Sequence, residues 1–527
     1  MSELTPSSDT DTNNGQLDRF IFPLAVCVML VACIPLFFFP DASAVALEQA
    51  YAWLTNTVGI FYQWAAIAVI IFVAWLAFGK YGHLKLGDPE DQPEYSNYSF
   101  VGMMFCAGIG AGLLYWAGIE WVYYYEAPPF NIKPRSTLAI EWAAAYGLFH
   151  WGLSAWCFYA VPTIAIAYPY YVKKVPYLRV STSLFGLPGG HSGENRPIAR
   201  IVDLAFMIAL IGGAGTSLAL ATPMISATIV ELFNLDFSAR SIDTLVVVVC
   251  VSIFAGSVYL GLEKGIKRLS DINVSLALLM LAFILITGPT LFILRMGTDS
   301  IGLMINNLVR MIAFTDPIER TGFVEDWTIF YWAWWIAFAP FVGLFVTRIS
   351  RGRTIKQVIL TMTLFGSLGS WLFYIVMGNY ALWVEINHLL PVAEIVTMDG
   401  PALAIVQVLS TLPGKSVFLF VFMIVSIIFV ATTYDSASYA LASAATRQLK
   451  PGEHPARWHR LFWAAMIGLL PVLLLFVAGA EGLKIVQSAT LITSLPFLVI
   501  GVLMCWSLVR TLNEDALQPS TRHSGRN

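Results

Sequence analysis

Polar residues give way, over and over along this chain, to apolar runs long enough to cross a bilayer. A spanning helix needs about 20 predominantly apolar residues. Runs of that length cover 20–40, 58–79, 99–122, 137–168, 201–233, 243–262, 272–295, 326–347, 356–384, 416–446, 457–479 and 485–509, twelve in all. The pattern predicts an all-α polytopic membrane protein with 12 transmembrane helices. Only 12% of the residues are charged, about half the share of an ordinary soluble chain. Segment 298–317 is amphipathic and too polar to span, so it is expected to lie along the membrane surface.

The first run is followed by Ala42-Ser43-Ala44, which resembles a leader cleavage site. The preceding tail is acidic (Glu3, Asp9, Asp11, Asp18), and the run is longer than a signal core, so it reads as a retained helix. All six cysteines fall inside apolar runs, where neither a disulfide nor a metal knuckle is expected. A net charge of -3 without a basic stripe gives no hint of nucleic acid. Basic residues gather in alternate loops, with Lys173, Lys174, Arg179, Arg348, Arg351, Arg353 and Arg447 among many on one side and only Lys133, Arg135, Arg240, Arg295, Arg310, Arg320, Lys415 and Lys484 on the other. The positive-inside rule then places both termini in the cytoplasm.

Two spans differ from the rest. The third carries Gly102, Gly108, Gly110, Gly112 and Gly118, a run that weakens a helix and lets backbone approach a ligand. Close helix packing through small residues is the other reading of the same glycines. The eighth places Trp327, Trp332, Trp334 and Trp335 in one segment with Pro340, and an arginine cluster ends it. They open two successive sets of five spans, 3–7 and 8–12, with spans 1 and 2 outside. Gly- or Pro-interrupted helices at matching positions in two halves point to a transport site, and an odd number of spans inverts the second half.

The fourth span adds Trp151, Trp156 and Tyr159 at mid-membrane depth, away from the interfacial belt where such residues usually anchor. With Trp334 and Trp335 they suit a quaternary ammonium group, which has no N–H donor and is held by cation–π attraction and methyl contact. Among intramembrane acids, Glu120, Glu141 and Asp435 stand out, with a structural or solvated role equally open for Glu141. Asp435 follows Thr432 and Thr433, hydroxyls of the kind a sodium ion needs or that simply bond back to their own helix.

Taken together, FYWAWW with RISRGRT, FHW with the following Trp and Tyr, and the glycine-rich third span resemble the betaine/choline/carnitine transporter family over about residues 20 to 510. The resemblance implies a LeuT-like fold built on a 5+5 inverted repeat with two extra N-terminal helices. It also implies a multi-pass protein of the bacterial inner membrane and a homotrimer that the amphipathic helix helps to assemble. By that resemblance Trp151, Trp156, Tyr159 and Trp335 match the family's aromatic box and Trp334 its neighbour. Gly108, Gly110 and Gly112 match its glycine run. Phe338 stands where betaine members often carry another Trp.

Two branches of the family compete. The sodium-independent carnitine exchangers share GIEWVYYYEAPPF, imply a substrate contact from Tyr123, and replace sodium with fixed groups. One of those positions carries Lys267; the other, usually Met, carries Val342. The sodium-coupled branch implies an ion held by main-chain oxygens of Cys106, Ile109 and Phe429 and by the hydroxyls of Thr432 and Thr433. Choline members tend to place Asp where this chain has Gly112. The sodium-coupled reading is the favoured one, with no cofactor beyond the coupling ion. A short, mixed C-terminal tail leads us to expect constitutive uptake. Against an enzyme, the seven histidines form no metal-ligand spacing with acids in the bilayer, and His454 and His459 read as solvated. Against a channel, interrupted helices around an aromatic cage favour occlusion over a continuous pore.

Overall fold

The computed structural model describes residues 17–107, 110–189, 197–235, 239–259, 263–447, 454–478 and 482–517. The described chain is helical, apart from isolated bridges between Leu17 and Thr446 and between Lys85 and Thr354. It opens with α1 (Ile21–Phe38), α2 (Pro40–Phe78), α3 (Asn97–Ala107), α4 (Ala111–Glu126), α5 (Thr137–His150) and α6 (Leu153–Tyr171). Then follow α7 (Pro197–Phe233), α8 (Ala239–Tyr259), α9 (Glu263–Thr287), α10 (Thr290–Ala313) and α11 (Phe330–Ile349). Shorter pieces come next: α12 (Ile355–Thr361), α13 (Ser367–Phe373), α14 (Asn379–Ile386), α15 (Val392–Met398) and α16 (Pro401–Ser410). Three long helices close it: α17 (Lys415–Ala444), α18 (Arg457–Ala478) and α19 (Gly482–Leu517).

Helix occupies each of the twelve apolar runs. Among the described residues, nine helical stretches are long and apolar enough to cross a membrane, or ten if the bent pair α3–α4 counts as one span. At the centre sits α11, packed against α6, α7 and α19. Its aromatic residues from Phe330 to Trp335 are all buried.

The third span is interrupted, as expected: α3 and α4 meet at 58°. Three other spans differ from expectation. The eighth is continuous, because Pro340 lies inside α11 without ending it. A proline forfeits one i→i−4 bond, and a helix packed on most sides holds its course through that loss. Instead α11 is preceded by a π-helical turn, Val324–Ile329. Two more π-helical turns, Met362–Gly366 and Tyr374–Gly378, divide the ninth span. The fourth span breaks at Trp151–Gly152, which hydropathy did not reveal.

The seventh span also ends early. α9 stops at Thr287, and Gly288-Pro289 redirects the chain into α10, since a residue before proline is steered away from helix. Ile293, Gly297, Ser300, Met304 and Met311 mark the buried face of α10, at the spacing of an amphipathic helix. His459 is a further correction. It is buried, with its Nε2 accepting from the Trp463 indole at 2.9 Å, because Phe22 of α1 covers it with a ring 5.2 Å away. His454 is exposed, as expected.

Asp18 fastens the start of α1. Its Oδ1 accepts from the backbone N–H of Phe20 at 2.9 Å and of Ile21 at 3.0 Å. Burial pushes this carboxyl up, but those two bonds and the charges of Arg179 and Arg447 hold it below the usual range. A lowered carboxylate contributes stability above its ordinary range and loses it as pH falls through the lowered value. Asp18→Asn is therefore expected to speed amide exchange at Phe20 and Ile21 at neutral pH. The two proteins should converge once acid has protonated the native carboxyl.

Candidate functional site

The break in the fourth span builds the site. Ending α5 at His150 leaves the last carbonyls of that helix without intrahelical partners, a cost of several kcal/mol each if unmet in the membrane. Side chains reach three of them, and Phe149 O also accepts the Gly152 backbone N–H at 3.5 Å. Leu148 O accepts from the Trp371 indole at 2.8 Å, Phe149 O from Ser154 Oγ at 3.1 Å, and His150 O from the Trp335 indole at 2.9 Å. Gly152 makes this possible: a Cβ there would lie 2.5 Å from Leu148 O and 2.7 Å from Trp371 Nε1.

The same bonds aim the aromatic rings. Trp151 stands edge-on to Trp335, with centroids 4.8 Å apart, and to Trp334 at 5.8 Å. Trp334 and Trp335 stack within 13° of parallel. Tyr159 meets Trp335 at 6.0 Å, and Trp156 joins through Tyr159 at 5.4 Å. All five are buried. Four of the expected box residues thus form one cluster, with Trp156 as its outer wall.

Trp156 is seated against the π-helical turn at Gly366, where a Cβ would fall 2.2 Å from its ring. Gly366→Ala is accordingly expected to displace Trp156, weakening binding of an onium ligand about tenfold if that ring contacts it. Intrinsic fluorescence titration measures this, and unchanged affinity would remove Trp156 from the site.

Other expected residues scatter. Gly112 lies beside the box, its Cβ position 3.6 Å from Trp334 Cη2, whereas nothing lies within 4 Å of that of Gly110. Phe338 packs over Gly213 of α7, below Trp334. Tyr123 turns elsewhere, its ring 4.8 Å from Trp327 and 6.4 Å from Trp116. Gly108 and Ile109 lie outside the described residues. Cys106 is partly buried in the last turn of α3. Lys267 is on α9, and its side chain lies outside the described residues.

The hydroxyl pair is compact. Thr432 and Thr433 donate to the same carbonyl, Phe429 O, at 3.0 and 2.8 Å, so three oxygens meet on one turn of α17. Asp435 is engaged differently, accepting from Arg460 of α18 at 2.8 Å. Among the described residues no three His, Cys, Asp or Glu side chains gather as metal ligands. The arginines after α11 tie neighbouring segments down. Arg351 reaches Asp91 at 3.2 Å, Arg353 is buried over the Phe100 ring, and Arg348 lies over Tyr439.

Glu120 is the residue whose place spacing did not reveal. It is fully buried behind the box, and Oε2 accepts from the Trp151 indole at 3.1 Å, from Tyr331 at 2.6 Å and from Tyr374. Oε1 accepts from Tyr124 at 2.5 Å. Three of these donors come from other spans, so no local pattern announces them.

The profile of a family described as "BCCT, betaine/carnitine/choline family transporter" matches residues 20–517. A carnitine transporter of Acinetobacter baumannii is 36% identical over 513 residues, spanning 96% of this chain and 91% of its own. An Escherichia coli K12 protein, the uncharacterized transporter YeaV, is 38% identical over 443 residues, 84% of this chain and 91% of its own. Among solved structures, a sodium-coupled sialic acid symporter aligns at 14% identity with a TM-score of 0.33, over 78% of this chain and 84% of that one. That likeness is too slight to bear on the fold.

Proposed function

This chain belongs to the betaine/carnitine/choline transporter family, and from that premise we propose that it carries glycine betaine or carnitine inward by sodium-coupled symport. Membership makes it a secondary transporter of a small onium-type substrate in a membrane, and not an enzyme. The observation that supports the onium class here is the cluster of Trp151, Tyr159, Trp334 and Trp335, in which the Trp335 indole is tied to the His150 carbonyl at the helix break. Indole faces attract a cation without needing a donor from it. Because Trp151 and Trp335 touch edge to face, the substrate's methyl groups enter only as these rings part, a motion that alternating access supplies.

The proposed coupling ion takes main-chain oxygens of Cys106, Ile109 and Phe429 and the hydroxyls of Thr432 and Thr433. Those hydroxyls now donate to Phe429 O, and rotating them toward a cation costs two weak bonds. Sodium bound there would favour the outward-open state and so link the two fluxes. The wider reading places both termini in the cytoplasm of a bacterial cell, the spans in a LeuT-like inverted repeat, and the chain in homotrimers with α10 at the assembly. A second reading, sodium-independent exchange of carnitine for a related betaine, draws on the carnitine transporter at 36% identity and on Lys267 as a fixed cation.

Counterflow in proteoliposomes with labelled glycine betaine and carnitine, with and without sodium, separates the two. Sodium-dependent uptake is expected. Thr433→Ala should raise the sodium needed for half-maximal uptake about tenfold, the equivalent of one lost charge–hydroxyl contact. Exchange that ignores sodium would favour the second reading.

A further inference from the structure

The carboxylate of Glu120 sits in a ring of donors. Three phenols and one indole point their protons at its two oxygens. An ionised carboxylate accepts only and has about four lone-pair sites; of the four donors here three converge on Oε2 and one on Oε1. Tyr124 extends the network: its oxygen lies 2.9 Å from His150 Nδ1, and His150 Nε2 lies 3.2 Å from Thr328 Oγ1. With the Tyr124 proton directed to Glu120, Nδ1–H donates to Tyr124 and Nε2 accepts from Thr328. A neutral imidazole therefore satisfies every atom of that relay. His150 Nδ1 is 3.7 Å from Glu120 Oε1, beyond a direct hydrogen bond. Four donors around a buried carboxyl suit a negative charge there, and such a charge in a water-poor interior would attract a nearby cation strongly.

Two of the four donors belong to the aromatic cluster. Trp151 gives its indole proton to Glu120 and turns its ring edge to Trp334 and Trp335. Tyr331 gives its phenol proton and stacks on Trp335 at 26° and on Trp334 at 20°. A ring that donates to an anion gains electron density at its face, the surface that draws a cation. Hydrogen bonds to a charged acceptor also fix ring orientation more firmly than neutral ones.

We propose that Glu120 is the buried counter-charge of the onium site. Ionised, it positions Trp151 and Tyr331 and makes the cluster prefer a cationic head group over a neutral one of the same shape. It acts through the rings and is a positioning residue. The inference rests on the onium reading above.

The test pairs glycine betaine with its carba isostere, in which carbon replaces the quaternary nitrogen and the carboxylate is kept. Binding of each, and of carnitine, is measured by intrinsic fluorescence in the full-length purified protein, with its Glu120→Gln and Glu120→Asp variants, and folding is checked by thermal melting. The wild type should strongly prefer betaine. Glu120→Gln should weaken betaine about tenfold relative to the isostere, since the carboxylate is common to both ligands and only the head groups differ in charge. Glu120→Asp should recover part of the preference. Equal losses for both ligands in Glu120→Gln would reduce Glu120 to a scaffold and overturn the proposal. A wild type that binds both ligands alike would overturn it even if no variant folds. A wild type that binds neither betaine nor carnitine would instead refute the onium reading, and this inference with it.

Discussion

Trp335→Ala should reduce uptake of an onium substrate on the order of a hundredfold, from the combined loss of a cation–π face and of a carbonyl cap. The size of the effect follows from four contacts that one side chain makes at once. It stacks on Trp334 at 5.1 Å and on Tyr331 at 5.6 Å, Trp151 meets it edge to face at 4.8 Å, and its N–H caps His150 O. Alanine removes all of them and leaves a buried carbonyl without a partner. Trp335→Phe divides the loss, because it keeps a ring and gives up only the donor. That variant should bind about tenfold more weakly and melt earlier, an unmet buried carbonyl costing about 1–3 kcal/mol. Uptake assays and thermal melting in the same detergent read the two effects separately. Wild-type melting in Trp335→Phe would show that His150 O needs no cap, and the account of the broken helix would fail.

Much of this arrangement was legible in the sequence because it depends on composition along a single helix. Apolar runs fell on helices throughout, nine or ten of them long and apolar enough to cross a membrane among the described residues, and Trp334 and Trp335 stood out as aromatic residues far from either interface. Contacts between spans were a different matter. Glu120 meets Tyr374 across 254 positions and Tyr331 across 211, separations that no spacing rule joins. His459 looked solvated beside a polar loop, since nothing local shows that α1 covers it. Breaks were misjudged in both directions. Pro340 was overvalued, because packing carries α11 through it, and the Trp151–Gly152 break was missed because one glycine barely alters mean hydropathy. The signal that was available is chemical: a glycine followed two residues later by a serine that caps the freed carbonyl of Phe149.

That missed glycine should be a sensitive backbone position next to the aromatic box. Gly152→Ala places a methyl group 2.5 Å from Leu148 O, and a backbone oxygen cannot swing aside as a side chain would. The new atom also lies 2.7 Å from Trp371 Nε1, on the bond that satisfies that same oxygen. Relief requires either parting Trp371 from Leu148 or changing the angle between α5 and α6. The first exposes a carbonyl inside the bilayer, and the second turns Trp151 away from both Trp335 and Glu120. A loss of about 2–4 kcal/mol is expected, with uptake falling to background because either route disturbs the box. Gly102→Ala is the matched control, since nothing lies within 4 Å of its Cβ position and alanine favours helix. It should melt no earlier than the wild type. If Gly152→Ala transports at the wild-type rate, the break has room the structure denies it, and Trp151 is aimed by something other than the end of α5.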